Sequence, residues 1–157
     1  MEYLPPPSDH SQGWISLLDL EGRFPKVALD FKPNIEAALY NIIDVLGECN
    51  YVHGDMWPNN LLILVEVTPD GKSCTIQSRP DSNPPFLYLK VIDFDWAGIA
   101  GVVEYPPYRN PDVEWPGQSG MHILNTHDRQ MVNIWISKWP AGNVPVVDRH
   151  DLHQEKI

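Results

Sequence analysis

The clearest hydrophobic pattern lies in the first third of the chain, where apolar residues recur every three or four positions. Pro33 precedes this stretch and Gly47 lies near its end, which are typical places for these two residues at helix boundaries. The spacing predicts an amphipathic helix from about Asn34 to Cys49. The apolar positions of the predicted helix are Ile35, Leu39, Ile42, Ile43 and Leu46.

Two further apolar runs are short and continuous, as buried strands are. The first covers residues 61–65 and the second covers residues 86–92. We expect them to pair as a hairpin, with residues 68–85 as a polar insertion in which Cys74–Ile76 can add a short strand. Such a hairpin brings the residues before the first strand close to those that follow the second.

Weaker patterns predict the remaining elements. Residues 14–20 predict a short helix, and residues 126–138 predict a second buried helix with Thr126 as its N-cap. Residues 1–12 form a polar connection, and residues 96–120, rich in proline and aromatic side chains, are expected to be mostly loop.

Polar residues that suit phosphoryl transfer flank the two predicted strands. Asp55 and Asn60 precede the first strand, and Asp93 follows the second. Gly54 and Pro58 favour a tight loop that turns Asn60 back toward Asp55. Phosphoryl transfer needs a carboxylate to orient the attacking hydroxyl and Mg²⁺ to neutralise the phosphates, and Mg²⁺ prefers oxygen ligands. The pattern therefore predicts a magnesium and phosphate site at this end of the hairpin.

These motifs resemble those of the protein-kinase-like superfamily, whose catalytic loop reads H-R-D-L-x-x-x-N and whose metal loop begins D-F-G. The glycine after the histidine makes the loop more similar to the H-G-D-x-x-P-x-N loop of aminoglycoside and choline phosphotransferases. Other stretches resemble the kinase-like domains that are numerous in mushroom-forming fungi. The residues that carry these resemblances are His53-Gly54-Asp55-Met56-Trp57-Pro58-Asn59-Asn60, Ile92-Asp93-Phe94-Asp95-Trp96-Ala97-Gly98, Tyr105-Pro106-Pro107 and His127-Asp128.

The resemblance implies an activity, namely the transfer of phosphate from ATP, with Mg²⁺, to the hydroxyl of a protein or small molecule. It implies that Asp55 is the catalytic base and that His53 supports the catalytic loop. It also implies that Asn60 and Asp93 are the magnesium ligands.

Two further assignments follow from the same resemblance. The first residues of the chain are similar to a kinase hinge, so the backbone around Glu2 and Leu4 is expected to meet the adenine ring. Asp128 is expected to be the helix acid that hydrogen-bonds the backbone of the catalytic loop. An ordinary acid in the first turn of a helix, favoured there by the helix dipole, is the alternative for Asp128.

The resemblance also implies the fold class, which is α+β. We expect the mainly helical large, C-terminal lobe of a kinase-like protein, with a small β-hairpin that carries the site. Residues 1–140 form this partial domain, and residues 141–157 form a polar tail. The ten glycines include no G-x-G-x-x-G arrangement, and no Val-Ala-x-Lys precedes the hinge. The small N-terminal lobe is therefore expected to be absent, with Met1 as an internal hinge methionine of a longer gene product.

Three departures from the kinase pattern leave a second function open. Gly54 replaces the arginine that pairs with a phosphorylated activation loop, and Trp57 stands where serine/threonine kinases carry a lysine that contacts phosphate. No A-P-E sequence ends the segment from Trp96 to Thr126. The alternative function is that of a catalytically inactive pseudokinase or binding scaffold.

The composition limits which binding partners and which cellular compartment we expect for this protein. The formal net charge of −10 over 157 residues argues against binding to nucleic acid and to anionic membrane surfaces. No stretch of about 18 apolar residues is present, so a membrane span is not expected. Cys49 and Cys74 are too few and too far apart for a disulfide framework, and we expect an intracellular protein, cytoplasmic or nuclear.

Residues 93–104 imitate the calcium loop of an EF-hand, with Gly98 and Glu104 at suitable positions. Ala97 occupies a ligand position, however, and a predicted strand precedes the loop where an EF-hand has a helix. We therefore do not expect a calcium site.

Several other polar residues are assigned no chemistry. Asn59 is expected to be an exposed loop amide. His122 and His127 lack the partners of a zinc site, and a solvated tail explains His150 and His153.

Overall fold

The computed structural model describes residues 11–80 and 86–140, which form a mixed α+β fold. Residues 58–60 form a short 3₁₀ turn. In chain order the helices and strands of this part are β1 (Gln12–Ser16), α1 (Leu17–Arg23), α2 (Pro25–Glu48), β2 (Tyr51–Val52), β3 (Leu61–Val67), β4 (Cys74–Ile76), β5 (Leu89–Val91), β6 (Gly98–Ile99) and α3 (His127–Ile136).

Strand β3 is the centre of a four-stranded antiparallel sheet. Strand β1 pairs along one edge, with Ile15 opposite Ile63. Strands β5 and β4 pair with the first and last residues of β3, respectively, so they share its other edge. The predicted β3–β5 hairpin and the short strand β4 are therefore confirmed, but the hairpin is part of a larger sheet than expected.

Burial alternates along β3, as it does in a strand with one face on the core. Leu61, Ile63 and Val65 have no exposed surface. They belong to the same hydrophobic core as buried residues of all three helices. Each fully buried aliphatic side chain of this kind contributes about 1.5–3 kcal/mol to folding, so β3 is held firmly in place.

The predicted helix over residues 34–49 is present, but it begins about two turns earlier, at Pro25. Pro33, expected to precede the helix, lies inside it. A proline removes one helical hydrogen bond, namely the bond to the carbonyl four residues earlier. Here that carbonyl belongs to Leu29, and both residues lie on the exposed face of the helix. The missing hydrogen bond therefore lies on the solvent-exposed face of the helix. On the opposite face, the buried Ala28 extends the row of core-facing residues toward the N-terminus of the helix.

The short helix predicted over residues 14–20 is wrong in its first half. Trp14 and Ile15 pair with β3, and the helix begins only at Leu17. Ser16 marks the boundary, since its Oγ accepts a hydrogen bond from the backbone N–H of Asp19 at 2.9 Å. This is an N-cap, and it stops the strand where the hydrophobic run itself shows no break.

The C-terminal helix α3 lies within the predicted range, and one detail of the prediction is wrong. Thr126 occupies the N-cap position, but its side chain makes no capping hydrogen bond. The predicted loop over residues 96–120 is confirmed apart from β6, which pairs with β2. The indole Nε1 of Trp135 donates to the carbonyl of Met56 at 2.9 Å, so α3 is tied to the segment between β2 and β3.

Some of the predictions concern parts of the chain outside the described residues. These are the adenine hinge at Glu2 and Leu4, the tail over residues 141–157 with its two histidines, and residues 81–85 of the insertion. Within the described ranges, no helix combines the length and the apolar character needed to cross a bilayer.

Candidate active site

The predicted catalytic loop connects β2 to β3 and turns tightly. The backbone N–H of Trp57 donates to the carbonyl of Asp55, and that of Asn60 donates to the carbonyl of Trp57, both at 2.9 Å. Gly54 has a φ of 81°. A Cβ at Gly54 would lie 2.8 Å from Cδ1 of Ile123, so both the backbone angle and the packing favour glycine here.

The carboxylate of Asp128 holds the start of this loop. Its two oxygens accept hydrogen bonds from the backbone N–H groups of His53 and Gly54, at 2.7 and 2.8 Å. Asp128 is only 2% exposed. Burial raises the pKa of the Asp128 carboxyl, while the two N–H donors act in the opposite direction because they favour the charged form. The hydrogen bond expected of this helix acid is confirmed, and it joins α3 to a loop more than 70 residues earlier.

The imidazole of His53 connects the loop to the end of β5. Its Nδ1 lies 3.2 Å from the backbone N–H of Asp55, and its Nε2 lies 3.0 Å from the carbonyl of Ile92. Since the backbone N–H can only donate, Nδ1 is the acceptor and the proton belongs on Nε2. The ring is fully buried and packs edge-on against Phe94, with centroids 4.8 Å apart. His53 therefore links the backbone of the catalytic loop at Asp55 to the backbone of Ile92, the residue before Asp93.

The side chain of Asn60 orients Asp55. The Asn60 Nδ2 donates to Oδ2 of Asp55 at 2.7 Å and to the Asp55 carbonyl at 3.0 Å. Asn60 itself has no exposed surface, whereas Asp55 is half-buried. The spacing of five residues therefore does bring the amide back to the acid, as the sequence predicted.

Asn59 is not the exposed loop amide that the sequence predicted. It is half-buried, and its Nδ2 donates to Oδ1 of Asn60 at 3.1 Å. Its own Oδ1 is buried and has no hydrogen-bond partner among the described residues. The prediction failed because the 3₁₀ turn over residues 58–60 places Asn59 against Asn60, which the sequence alone does not show.

Asp93 lies beside this network because β5 pairs with the start of β3. Leu61 is opposite Val91, and the backbone N–H of Ile92 donates to the carbonyl of Asn60 at 2.9 Å. Asp93 follows directly, half-buried and with a φ of 64°, a left-handed angle that aspartate tolerates better than most residues. The hairpin therefore joins the residue before Asp93 to Asn60.

The oxygen groups of these residues fit a small divalent cation in their chemistry. Asp55 and Asp93 are half-buried carboxylates, and Mg²⁺ is held in proteins by one or two carboxylates together with phosphate and water oxygens. Asn60 supplies an amide oxygen, although that side chain is buried in this conformation. Among the described residues, no group of three or more His, Cys, Asp and Glu side chains gathers to form a metal site. The cation site would thus depend on ligands from a bound phosphate as well.

The alternative calcium loop is not supported by the structure. An EF-hand requires a helix before its first ligand, but β5 precedes Asp93. Glu104, the last position of that pattern, lies 3.6 Å from the imidazole of His122. The residues of the pattern therefore belong to a strand end and a loop.

An aromatic cluster that the sequence did not predict packs at the start of α3. The ring of Tyr105 stacks on His127 with centroids 5.7 Å apart, and the guanidinium of Arg109 lies 4.8 Å from the centre of the Tyr105 ring. Burial raises the pKa of the Tyr105 phenol and lowers the pKa of the His127 imidazole. His127 accepts a hydrogen bond from the backbone N–H of Leu124 at 3.3 Å, so it holds the loop that leads into α3.

One open groove lies elsewhere on the surface. It has a volume of about 990 Å³ and is lined by residues of β1, β3 and β4 together with Arg23. Its lining includes neither the catalytic loop nor Asp93. The candidate active site is therefore defined by its hydrogen-bond network and not by this groove.

Comparison with known proteins gave no relative. No protein-family model matches the chain, and neither the curated proteins nor the solved structures include a match. The function must consequently be inferred from the site itself.

Proposed function

We propose that this chain carries the catalytic loop of a protein-kinase-like phosphotransferase, which transfers phosphate from ATP to a hydroxyl group with the help of Mg²⁺. The acceptor is either a protein or a small molecule. The proposal combines the sequence resemblance with the geometry of the loop, because neither is sufficient alone.

The observation that carries the proposal is the double hydrogen bond from the loop to Asp128. The resemblance assigned this role to Asp128 from its place in the sequence, 75 residues after His53 and 74 after Gly54. A solvated acid in the first turn of α3 would have no reason to bury its carboxylate under the catalytic loop. The match between an independent expectation and a specific buried contact therefore supports kinase-like ancestry.

The proposed role of each residue follows from its exposure to solvent. Asp55 is half-exposed and oriented by Asn60, so its carboxylate can hold the acceptor hydroxyl and accept its proton. Asp93 and the oxygen of Asn60 would hold the metal ion. His53 is buried with both ring nitrogens engaged, so it maintains the distance between the loop and Asp93 and does not exchange protons with substrate.

When bound, magnesium with ATP supplies the transferable phosphoryl group and neutralises its charge. The sequence contains no glycine-rich phosphate loop of the G-x-G-x-x-G kind. We therefore expect this chain by itself to bind ATP weakly, because ligand pockets hold small molecules by burying most of their surface.

A second candidate function is a pseudokinase or binding scaffold that keeps the fold without the reaction. The observation in its favour is the complete burial of Asn60, which places one of the proposed metal ligands out of reach in this conformation. A scaffold would retain the Asp128 contacts, since these support the loop and not the chemistry.

The test is a calorimetric titration of the purified 157-residue chain with ATP, in the presence of magnesium and again in excess EDTA. The phosphotransferase proposal predicts binding that magnesium strengthens. Absence of binding, in a chain shown to be folded by circular dichroism, favours the scaffold. Magnesium-independent binding would also contradict the proposed metal site.

A further inference from the structure

Strand β1 has an open edge on the side away from β3. Among the described residues, only β3 pairs with it. The backbone N–H of Val67 donates to the carbonyl of Ser11 at 2.9 Å, so these two residues form a hydrogen-bonded pair of the ladder. Because such pairs alternate along antiparallel strands, the N–H and carbonyl groups of Gln12 and Trp14 are directed away from β3. Another extended chain can pair with such a row of backbone groups.

Strand β1 lacks the side chains that usually protect an exposed sheet edge. Its five residues, Gln-Gly-Trp-Ile-Ser, include neither a charged residue nor a proline. The open groove of about 990 Å³ includes this strand in its lining, through Gln12, Gly13 and Ile15. A Cβ at Gly13 would meet no atom within 4 Å beyond its chain neighbours, so a side chain from another strand has room there. The edge therefore offers both backbone groups and space.

Two positive charges flank this edge, and neither forms an ion pair with a described residue. Arg23 lines the groove, where its guanidinium lies 5.1 Å from the centre of the Phe24 ring. On the other side, the ammonium of Lys90 lies 3.9 Å from the centre of the Trp14 ring. Charges more than about 8 Å away are largely screened at physiological salt, so these two cations count for more here than the net charge of the chain. They favour an acidic partner.

The rest of the groove lining limits the side chains of that partner. Its apolar surface is formed by Ile15, Val65 and Val67. Glu66 is a carboxylate of the same lining, but it already accepts hydrogen bonds from the side chains of Ser11 and Gln77, at 3.5 and 3.4 Å. The groove therefore suits apolar side chains, with Arg23 as a cation that has no carboxylate partner among the described residues.

We infer that the open edge of β1 is a docking site for an acidic, extended segment of another protein, which adds to the sheet as a further strand. In this mode of recognition, main-chain hydrogen bonds supply affinity and alternate side chains supply specificity. Because alternate residues of a strand point to opposite faces, the apolar side chains of the segment face the groove while its carboxylates face Lys90 and Trp14. The groove lining does not include the catalytic loop, so the inference is independent of phosphate transfer.

The variant Gln12→Pro tests the backbone pairing. Proline has no N–H, and Gln12 is the first residue of an edge strand with its N–H directed outward, so the bonds between β1 and β3 remain. Gln12→Ala is the matched control, because it keeps the N–H and loses the same side chain. The loss of one neutral hydrogen bond should weaken binding of the segment about two- to tenfold in Gln12→Pro relative to Gln12→Ala.

The variants Arg23→Gln and Lys90→Gln test the contribution of charge. Each removes one exposed or half-exposed cation, so each should weaken binding about two- to fivefold, as the loss of a surface ion pair does. Lys26→Gln is the matched control, since Lys26 is an exposed cation on α2. It should bind the segment as the wild type does.

The experiment measures, by fluorescence anisotropy, how a labelled peptide of alternating glutamate and valine binds to the full chain. Two further probes are a lysine–valine peptide and a glutamate–valine peptide whose backbone is N-methylated at alternate residues. The expected result is that the first peptide binds, that the other two bind more weakly, and that the variants rank as described. Circular dichroism shows whether each variant is folded. If Gln12→Pro does not fold, the N-methylated peptide tests the same pairing from the side of the partner.

Four outcomes would overturn the inference. They are failure of the glutamate–valine peptide to bind, equal binding of the N-methylated peptide, and equal binding of the lysine–valine peptide. The fourth is a dimer of the free chain, seen by analytical ultracentrifugation, that Gln12→Pro converts to a monomer. Such a dimer would assign the edge of β1 to a second copy of this chain.

Discussion

The two sides of the candidate site differ in how the chain holds them. On the supporting side, His53 and Asp128 are buried, and their side chains hydrogen-bond backbone groups of the loop and the carbonyl of Ile92, directly after β5. On the reacting side, Asp55 and Asp93 are half-exposed, and Phe94 next to Asp93 is 51% exposed. The loop is therefore shaped by buried contacts within the chain, while the two acids are partly exposed to solvent.

This difference separates stability from function in a way that mutations can test. Substitutions on the supporting side should unfold the protein or distort the loop. Substitutions on the reacting side should leave the fold intact and remove ligand binding.

The largest loss of stability is expected from Asp128→Ala. The change leaves the buried N–H groups of His53 and Gly54 without an acceptor, so the free energy of unfolding should fall by about 2–6 kcal/mol, at roughly 1–3 kcal/mol for each donor. Asp128→Asn retains one acceptor oxygen and should lose less. Urea denaturation measures the free energy of unfolding of the wild type and of both variants, with the exposed Asp112→Ala as control. A loss below about 1 kcal/mol in Asp128→Ala would show that the loop does not depend on this carboxylate.

A smaller loss is expected from Gly54→Ala, about 1–3 kcal/mol. The new Cβ adopts an unfavourable positive φ and lies 2.8 Å from Cδ1 of the buried Ile123. Gly71→Ala is the matched control, because Gly71 has a similar φ of 69° and no atom near its Cβ position. The difference between the two free energies of unfolding isolates the contact with Ile123. Equal losses in both variants would mean that the loop moves aside at little cost.

The smallest effect on the supporting side concerns pH. Burial lowers the pKa of His127, and the nearby Asp128 carboxylate only partly offsets this. Histidine in the unfolded chain titrates near 6.5, so as the pH falls through this value the unfolded state takes up the proton first and stability declines. Protonation of Nδ1 would also remove the acceptor for the N–H of Leu124.

We expect His127→Gln to flatten this decline, because glutamine does not titrate. The measurement is the free energy of unfolding at several pH values between 7.5 and 5, the range that spans the ordinary histidine pKa of about 6.5. The exposed His122→Gln serves as the control. If the wild type and His127→Gln lose stability in parallel, the acid sensitivity originates elsewhere.

The reacting side was easier to predict from sequence than the supporting side. Asp55, Asn60 and Asp93 were predicted from residue type and spacing, and the structure returns the Asn60 amide to Asp55 and pairs the two apolar runs as expected. The buried partners could not be derived from local pattern. The contact of Trp135 with Met56 and the stacking of Tyr105 on His127 depend on how α3 and the long loop pack, which no short-range periodicity encodes.

The errors in the predicted fold also arise from contacts between distant parts of the chain. The start of α2 was missed because proline is typical of a helix start and rare in a helix interior, and the exposed position of Pro33 explains why the helix tolerates it. The strand β1 was missed because its partner β3 lies almost 50 residues later in the chain. In both cases the tertiary environment decided between two local structures that the sequence permits.

The most decisive test of the proposed metal site is the magnesium dependence of ATP binding in Asp93→Asn, compared with the wild type by calorimetry. Asparagine tolerates the left-handed backbone at this position and has nearly the same shape, so we expect the variant to fold while it loses the negative charge. If Asp93 holds the metal ion, magnesium strengthens ATP binding in the wild type and has no effect in Asp93→Asn. Equal magnesium dependence in the two folded proteins would contradict it, because the metal would then be held without Asp93.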